Sequence, residues 1–442
     1  MRLRLSSQME RLQASLFFVP MAAVLSAIAL GLSLLAIDSR FDQGGADLPL
    51  GLASTVESAR ALLSTIAGAT ITFAGIAFSV SLLVIQLASS QYSPRVVHTL
   101  FRDPFNKRVM ALVVGTFTYC VIVLRSVRSA LEQGGDPVIP NLSVSVAVIL
   151  GIATILATVA FIDHSAHAMD ISEILEKVRR ESVDHARDSW AVAEPGARRA
   201  GPTEALDGPQ CVVRFGRSGW VQQFDADELL RWVPDGGIMR LDTYPGRYAV
   251  EGAPLCTIAP PPAAMEEAEQ EIRAAVTLGE TRSMRQDASY GLRQLADVAI
   301  KALSPGINDP TTAQDAVFHA AAVLAELLRR DAPPERRTGE GGRRLIIPHR
   351  PTHDDLVRLT FDETRRAAAP HPTVCIYLLE ALAVLHEGIR ATGLEGRGDI
   401  LVEEARLVVA GCEVADLLSA DLELVRTTFD KRFGPVSPGI VP

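Results

Sequence analysis

Residues 61–93, ALLSTIAGATITFAGIAFSVSLLVIQLASSQYS, constrain this chain more than any other stretch. They carry no charge and exceed the roughly 20 residues that span a hydrocarbon core about 30 Å thick, yet polar residues recur in them every seven positions. Thr65, Thr72, Ser79, Gln86 and Ser93 share one position of that repeat, and Gly68, Gly75, Leu82 and Ser89 share the position three further on. On a helix the two sets form a single small, polar stripe. Ile66, Ile71, Phe73, Ile76, Phe78, Val80, Leu83, Val84, Ile85 and Leu87 make the remaining faces greasy. Two explanations are open. Ser64, Gly68 and Thr72, spaced four apart, let another helix approach closely, or the hydroxyl ladder lines a hydrated path by replacing part of an ion's water shell. Both require other protein to hide the stripe from lipid.

The chain has 442 residues, 48% hydrophobic and 21% charged, so its apolar residues must be concentrated locally. Four runs do this, at about 14–37, 61–88, 108–124 and 142–162. The first follows Arg2, Arg4 and Arg11 like a secretory signal, but its apolar run continues to Ile37 and reads as a retained helix. Arginine and lysine cluster before the first run, between the second and third (Arg95, Arg102, Lys107, Arg108) and after the fourth (Lys177, Arg179, Arg180). That bias predicts an inner-membrane protein with both termini cytoplasmic. A net charge of −9 without a basic face excludes nucleic acid as an expected partner. Cys120, Cys211, Cys256, Cys375 and Cys412 show no CxxC spacing and read as free thiols.

Along the chain, 38–60 reads as a polar outer loop. Pro94 kinks or ends the second helix, and Asp103 before Pro104 reads as a helix cap. Ala23, Ala27 and Gly31, Ala111 and Gly115, and Ser143, Ala147 and Gly151 give the other three helices small contact faces. At the end of the fourth, Asp163, His167 and Asp170 share a helical face with His164 beside them, candidates for a cytoplasmic mouth or for an ordinary amphipathic border. The helix is expected to continue to 182, closing a transmembrane domain of residues 1–182. A linker at 183–209 leads to a small β module at 210–260, with turns at Pro234–Gly237 and Pro245-Gly246. Its SGWVQ and PGRYAVEGAPL segments resemble barrel-sandwich modules that carry a cofactor on lysine, but no lysine occurs between 201 and 258. No cofactor is expected.

Residues 261–442 read as an α-helical domain in which Leu292, Leu295, Ala299 and Ala302 form a buried face. Pro305, Gly306, Asn308, Asp309 and Pro310 make a helix-turn-helix corner or a subunit contact. Residues 331–350 read as an exposed linker. His349, His353, Asp354 and Asp355 match no metal template and read as loop and cap, so no metal site is expected. Glu403, Glu404, Glu413, Asp416, Asp421 and Glu423 read as solvated faces.

The chain has no GxxxxGK, GxGxxG, HExxH or GxSxG motif, so neither an enzyme nor a nucleotide-driven pump is expected. No lysine or acid lies mid-span, which turns a transport reading toward a passive pore. TITFAGIAFSVSLLVIQLASSQYSPRVV (70–97), GTFTYCVIVLRSVR (115–128), FIDHSAHAMD (161–170), SGWVQ (218–222) and ALSPGINDPTTAQDA (302–316) resemble the successive signatures of a bacterial predicted-membrane-protein family, domain of unknown function 2254. The resemblance implies an integral membrane protein with a cytoplasmic C-terminal region and supplies no activity.

The expected fold is therefore mainly α: a four-helix transmembrane domain, then a cytoplasmic region with a small barrel-sandwich-like β module and a C-terminal helical domain. The expected function is an oligomeric inner-membrane channel-like protein, with Thr65, Gly68, Thr72, Gly75, Ser79 and Gln86 lining a passive path for an ion or small solute. Its expected partners are the lipid bilayer and further copies of itself. A membrane-anchored scaffold or sensor without transport is the alternative.

Overall fold

The computed structural model describes residues 18–43, 55–91, 104–127, 140–167, 170–193, 206–347 and 351–434. They form two compact units, one of apolar helices ending at Asp170 and one built from Ile171 onward.

The first unit holds α1 (Phe18–Gln43), α2 (Val56–Gln91), α3 (Pro104–Ser126) and α4 (Asn141–His167). Each contains a stretch long and apolar enough to cross a membrane. Two of them reach into the segment expected to be a polar loop. α1 runs past Ile37 and takes in Asp38. α2 begins at Val56 because Thr55 and Ser58 cap it reciprocally: the Ser58 N–H donates to Thr55 Oγ1 at 3.2 Å and the Thr55 N–H to Ser58 Oγ at 2.9 Å. Pro104 opens α3, where its missing N–H costs nothing. Pro94 and Asp103 lie outside the described residues.

Small residues set the packing inside this unit, as their spacing predicts. Gly115 lies under Ala23, whose carbonyl oxygen would be 3.6 Å from a Cβ placed there. A Cβ at Gly31 would stand 3.1 Å from Ile122, and one at Gly151 3.3 Å from Ile66. Ala27, Ala111 and Ala147 are buried beside them. The exposed side of α4 is aliphatic: Ile149, Ile152, Ile155, Leu156, Val159 and Ile162 are each more than half exposed. The expected continuation of α4 to 182 is not found. α4 ends at His167, and α5 (Ile171–Ser189) is a separate helix of the second unit. Its Ile174, Leu175, Val178, Val183 and Ala186 are buried, an amphipathic pattern suited to a protein core and unlike the uniformly apolar α4.

After α5, strand β1 (Ala191–Val192) pairs antiparallel with β8 (Arg330–Asp331). The β region contains β2 (Cys211–Arg214), β3 (Gly219–Phe224), helix α6 (Ala226–Arg231), β4 (Ile238–Leu241), β5 (Tyr248–Ala249) and β6 (Pro254–Ala259). It does not stop at 260, because α7 (Met265–Ala275) leads into β7 (Val276–Gly279), which completes a three-stranded sheet in the order β5-β3-β7. The five-stranded sheet, β2-β6-β4-β10-β9, takes its last two strands, β9 (Arg336–Thr338) and β10 (Arg344–Ile346), from the stretch expected to be an exposed linker. Leu345 and Ile347, fully buried, explain the difference: a three-residue apolar run is enough to dock a strand parallel to β4. Val213, Val221, Leu229, Met239, Ile258, Ile272 and Leu345 belong to one core shared by both sheets, α6 and α7.

The remaining helices are α8 (Ser289–Ala302), α9 (Pro310–Leu328), α10 (His353–Ala368), α11 (Pro372–Arg390), α12 (Asp399–Val414) and α13 (Ser419–Phe433). α11 touches α9, α12 and α13, and α5 packs on α8 and α9. Arg397, 8% exposed, donates from Nη1 to the carbonyls of Leu328 at 2.7 Å and Arg330 at 2.8 Å, so it caps the end of α9. Its Nη2 pairs with Asp331.

A second arginine holds the β region to α8. Arg282 lies 5.6 Å from the Trp220 ring centroid and 5.1 Å from that of Tyr290. It donates to buried Asp287, which also accepts from the Ser289 N–H. The Pro245-Gly246 turn presses on this carboxylate. Gly246 has φ +92°, and a Cβ there would be 2.2 Å from Asp287 Oδ2. Gly246→Ala is therefore expected to cost about 3 kcal/mol, whereas Gly236→Ala, at φ +70° with open space around it, costs about 1 kcal/mol of backbone strain. Denaturant unfolding of the two variants followed by tryptophan fluorescence checks the ranking.

Candidate functional site

The stripe on α2 is where sequence chemistry and structure meet. Thr65, Gly68, Thr72, Gly75, Ser79 and Gln86 all lie on the exposed side of the helix, along one edge. The chain's own bundle packs on the opposite side, through Ala59, Leu63, Ala67, Thr70 and Ala77. A single chain thus leaves uncovered the edge that both sequence explanations require to be hidden. Within the chain no other helix comes close here, since a Cβ added at Gly68 or Gly75 would meet nothing within 4 Å. The hydroxyls bond within α2: Thr72 Oγ1 donates to the Gly68 carbonyl at 2.8 Å, Ser79 Oγ to Gly75 at 2.9 Å and Ser64 Oγ to Ala61 at 3.1 Å. Each hydroxyl proton is occupied, and the oxygen's remaining lone pairs are left for the exposed side. The side chain of Ser89 and residue Ser93 lie outside the described residues.

The Asp/His group at the end of α4 is brought together only in part. Asp163 and His167 are both exposed and face each other one turn apart, with His167 Nδ1 3.7 Å from Asp163 Oδ1 and 2.9 Å from the Asp163 carbonyl oxygen. His164 turns to the bundle instead, its ring 4.6 Å from that of Phe105. The exposed Asp170 donates its N–H to the His167 carbonyl and ends the helix. This is a helix terminus, and among the described residues no group of three or more His, Cys, Asp or Glu could hold a metal ion.

The Pro305–Pro310 corner forms as its sequence predicts. Asp309 caps α9 by accepting from Thr312 N at 3.1 Å and Thr312 Oγ1 at 2.6 Å, with Pro310 in the first turn. Asn308 takes φ +48° to redirect the chain, and Pro305, Gly306 and Asn308 are exposed. The His353 group is corrected in one respect. Thr352 and Asp355 make a capping box, but His353 is buried, its Nε2–H donating to the Arg330 carbonyl at 2.9 Å. His349 lies outside the described residues.

Two features escaped the sequence. Asp38, at the end of α1, reaches across to the start of α4, where its carboxylate accepts from the N–H groups of Leu142 at 3.0 Å and Ser143 at 2.9 Å and from Ser143 Oγ at 2.6 Å. Tyr119 on α3 donates to the Ser143 carbonyl at 2.9 Å, so three helices meet on one turn. The second is Glu404, which is fully buried rather than part of a solvated face. Arg365 Nε donates to its Oε2 at 3.0 Å, and Oε1 has no hydrogen-bond partner.

The comparisons with known proteins bear on the membrane unit and most of the second. A model of the family described as "Predicted membrane protein (DUF2254)" matches residues 13–384. The chain belongs to this family. It is also similar to uncharacterized proteins of Mycobacterium tuberculosis and Mycobacterium bovis, at 29% identity over 336 residues, 75% of this chain. The matched stretch spans 64% of the length of those relatives. No solved structure matches the chain.

Two expectations follow from these carboxylates. Asp38→Ala removes a helix cap and is expected to destabilise the first unit by about 1 kcal/mol, read as a lower unfolding midpoint in detergent. Burial pushes the Glu404 carboxyl above the ordinary glutamate range, with Asp362 adding to the shift and Arg365 opposing it. The folded state then binds a proton that the unfolded state releases. Its contribution to stability is complete below the ordinary glutamate pKa and is lost as pH rises through the raised folded value. Glu404→Gln is expected to flatten that decline in the pH profile of the unfolding midpoint.

Proposed function

We propose that the chain is a homo-oligomeric, channel-like protein of the inner membrane. In this reading the second helix of each copy, α2, faces the symmetry axis and lines a passive path for an ion or small solute. The observation that carries this is a contrast between two exposed faces of one bundle. Between Ile149 and Ile162 the exposed side of α4 is aliphatic throughout, as lipid requires, whereas α2 sets Thr65, Gly68, Thr72, Gly75, Ser79 and Gln86 as a stripe beside exposed Ile71, Ile76, Phe78, Leu82 and Leu83. The space beside both glycines is unused within the chain, and small residues that pack nothing in their own subunit suit contact with another. A ring of identical copies turns one stripe into a closed lumen.

The chemistry of the stripe favours cations. The protons of Thr72 and Ser79 are held by the helix's own carbonyls, so the oxygens offer lone pairs to whatever faces them. Oxygens held in this way can replace water around a small monovalent cation. The distribution of Arg and Lys supports cytoplasmic termini, and the region from Ile171 onward, on the same side, serves assembly or gating. The same internal hydroxyl bonds also favour a second reading, a membrane-anchored scaffold without flux, because a satisfied hydroxyl needs no water.

Separate measurements of K⁺, Cl⁻ and H⁺ flux into liposomes holding the purified protein, with Gly68→Leu and Ser79→Leu as variants, test this. The expected result is K⁺ flux in the wild type that each leucine abolishes, while the unfolding midpoint of the monomer is unchanged. Absence of flux in all three assays from an assembled oligomer would support the scaffold. A wild-type protein that remains monomeric in the bilayer would remove both.

A further inference from the structure

The helices α9 and α11 pack side by side in the second unit and run in the same direction. The Phe318 and Tyr377 rings meet edge to face with centroids 5.7 Å apart, and eleven residues further along both helices a Cβ at Gly388 would stand 3.3 Å from Arg329 Nη2. The pair leaves one face open. On α9 the residues Asp315, Phe318, Ala322 and Arg329 are exposed and Ala325 is half-buried, all at the spacing of a single helical face. Tyr377 and Val384 of α11 are exposed beside them, Val384 by more than half. The charges that flank this face are paired within the chain, Glu326 with Arg187 and Arg330, and Glu380 with Arg432. Among the described residues neither the Asp315 carboxylate nor the Arg329 guanidinium has an ion-pair partner. They stand seven residues before and seven after Ala322, about 10 Å to either side of it and about 20 Å from each other, too far to pair within one helix.

We propose that this face is a contact between two copies of the chain, related by a twofold axis that crosses α9 at Ala322. Such an axis sets α9 antiparallel to its copy, so each residue before Ala322 faces the one equally far beyond it in the other chain. Asp315 of each copy then meets Arg329 of the other, and the unpaired charges are matched twice. Phe318 lands on Ala325, and on the neighbouring helix Tyr377 lands on Val384, so each aromatic ring meets a smaller side chain. Ala322 at the crossing adds only a methyl group, which lets the two α9 helices approach closely. Aromatic anchors at the centre with ion pairs at the rim make a contact specific in both position and direction. A bilayer surface fits this face less well, since anionic headgroups would draw Arg329 and repel Asp315, whereas a second copy uses both. The contact rests on the homo-oligomeric reading proposed above, and not on a path along α2.

Charge reversal tests it. Full-length protein in detergent micelles is compared by sedimentation velocity with Asp315→Arg, Arg329→Asp and the variant carrying both. Each single reversal opposes like charges at both ends of the contact and is expected to weaken association by about tenfold. The double reversal is expected to restore it, and because the two residues do not reach each other within a chain, restoration reports a contact between copies. Ala322→Cys oxidised with copper phenanthroline is expected to give a disulfide-linked dimer that neither the wild type nor Arg406→Cys, on the exposed side of α12, gives. Single reversals without effect, a double variant no better than the singles, or no linked dimer from Ala322→Cys would each overturn the proposal and leave the face to lipid or to a different protein. An assembled wild type that conducts K⁺ but ignores these reversals would keep the α2 path and remove the α9 contact. Rescue by the double reversal in a protein without flux would do the opposite.

Discussion

Hydrocarbon does not press helices together, since lipid tails are as apolar as leucine, so a membrane unit coheres only where backbones come close and polar groups find partners. Both conditions are met along α3. Gly115 admits Ala23 of α1, and Gly31 admits Ile122 from the α3 side. The hydroxyls of Thr116 and Thr154, 3.1 Å apart, join α3 to α4 in an otherwise apolar interior. At one end of the bundle Asp38 meets the open N–H groups of α4, where the helix dipole also favours a carboxylate. These interactions hold three of the four helices. α2 joins them by side chains, chiefly Leu63, Ala67 and Ile66, without a comparably close approach of backbones. Its other side carries the stripe of small and polar residues beside exposed Ile71, Ile76 and Phe78.

The second unit is organised by a different force, because burial from water does drive its packing. Its helices are amphipathic, and its exposed ionic groups pair locally, as Glu176 does with Arg179 and Arg293 with Glu363. Such surface pairs add little stability. The buried ones matter by position. Arg397 satisfies the carbonyls that end α9 and fixes the β1–β8 pair beside them, and Arg330 Nη1 donates to the Trp190 carbonyl at 2.8 Å, which ties down the end of α5. The first helix after the membrane bundle is thereby built into the core of the second unit.

Much of this was legible in the sequence, and what was not fails for definable reasons. The four apolar helices, the capped corner at Asp309 and the α8 face of Leu292, Leu295 and Ala299 follow from composition and local spacing, which one sequence contains. Asp38 does not, because its partners lie 104 and 105 residues away and an aspartate after an apolar run also describes a loop. The strands at 336–346 were hidden because Arg, Glu and Gly outnumber the apolar residues that dock them. Glu404 was misassigned because helical spacing alone does not say which neighbour covers a face. The polar stripe is the intermediate case. Its composition and alignment were readable, but the side of α2 that the bundle would take depends on Ile66 fitting over Gly151, a tertiary match.

The helix α11 shows where hydropathy itself stops being informative. Pro372–Arg390 satisfies the same length and apolarity test as the four helices of the first unit. It differs in what surrounds it. Half of its most apolar stretch is buried, and Leu378, Leu379, Leu382 and Leu385 form the contacts that gather α9, α12 and α13. In α4, by contrast, the residues facing away from the bundle are the most aliphatic of all. An apolar helix inside a water-facing core directs its largest side chains inward, whereas one in lipid directs them outward and keeps its small residues for its neighbours. By that criterion α4 and α11 aim their large side chains in opposite directions despite similar apolarity, and α2 mixes the patterns, with Ile71, Ile76 and Phe78 exposed beside the small and polar residues of its stripe.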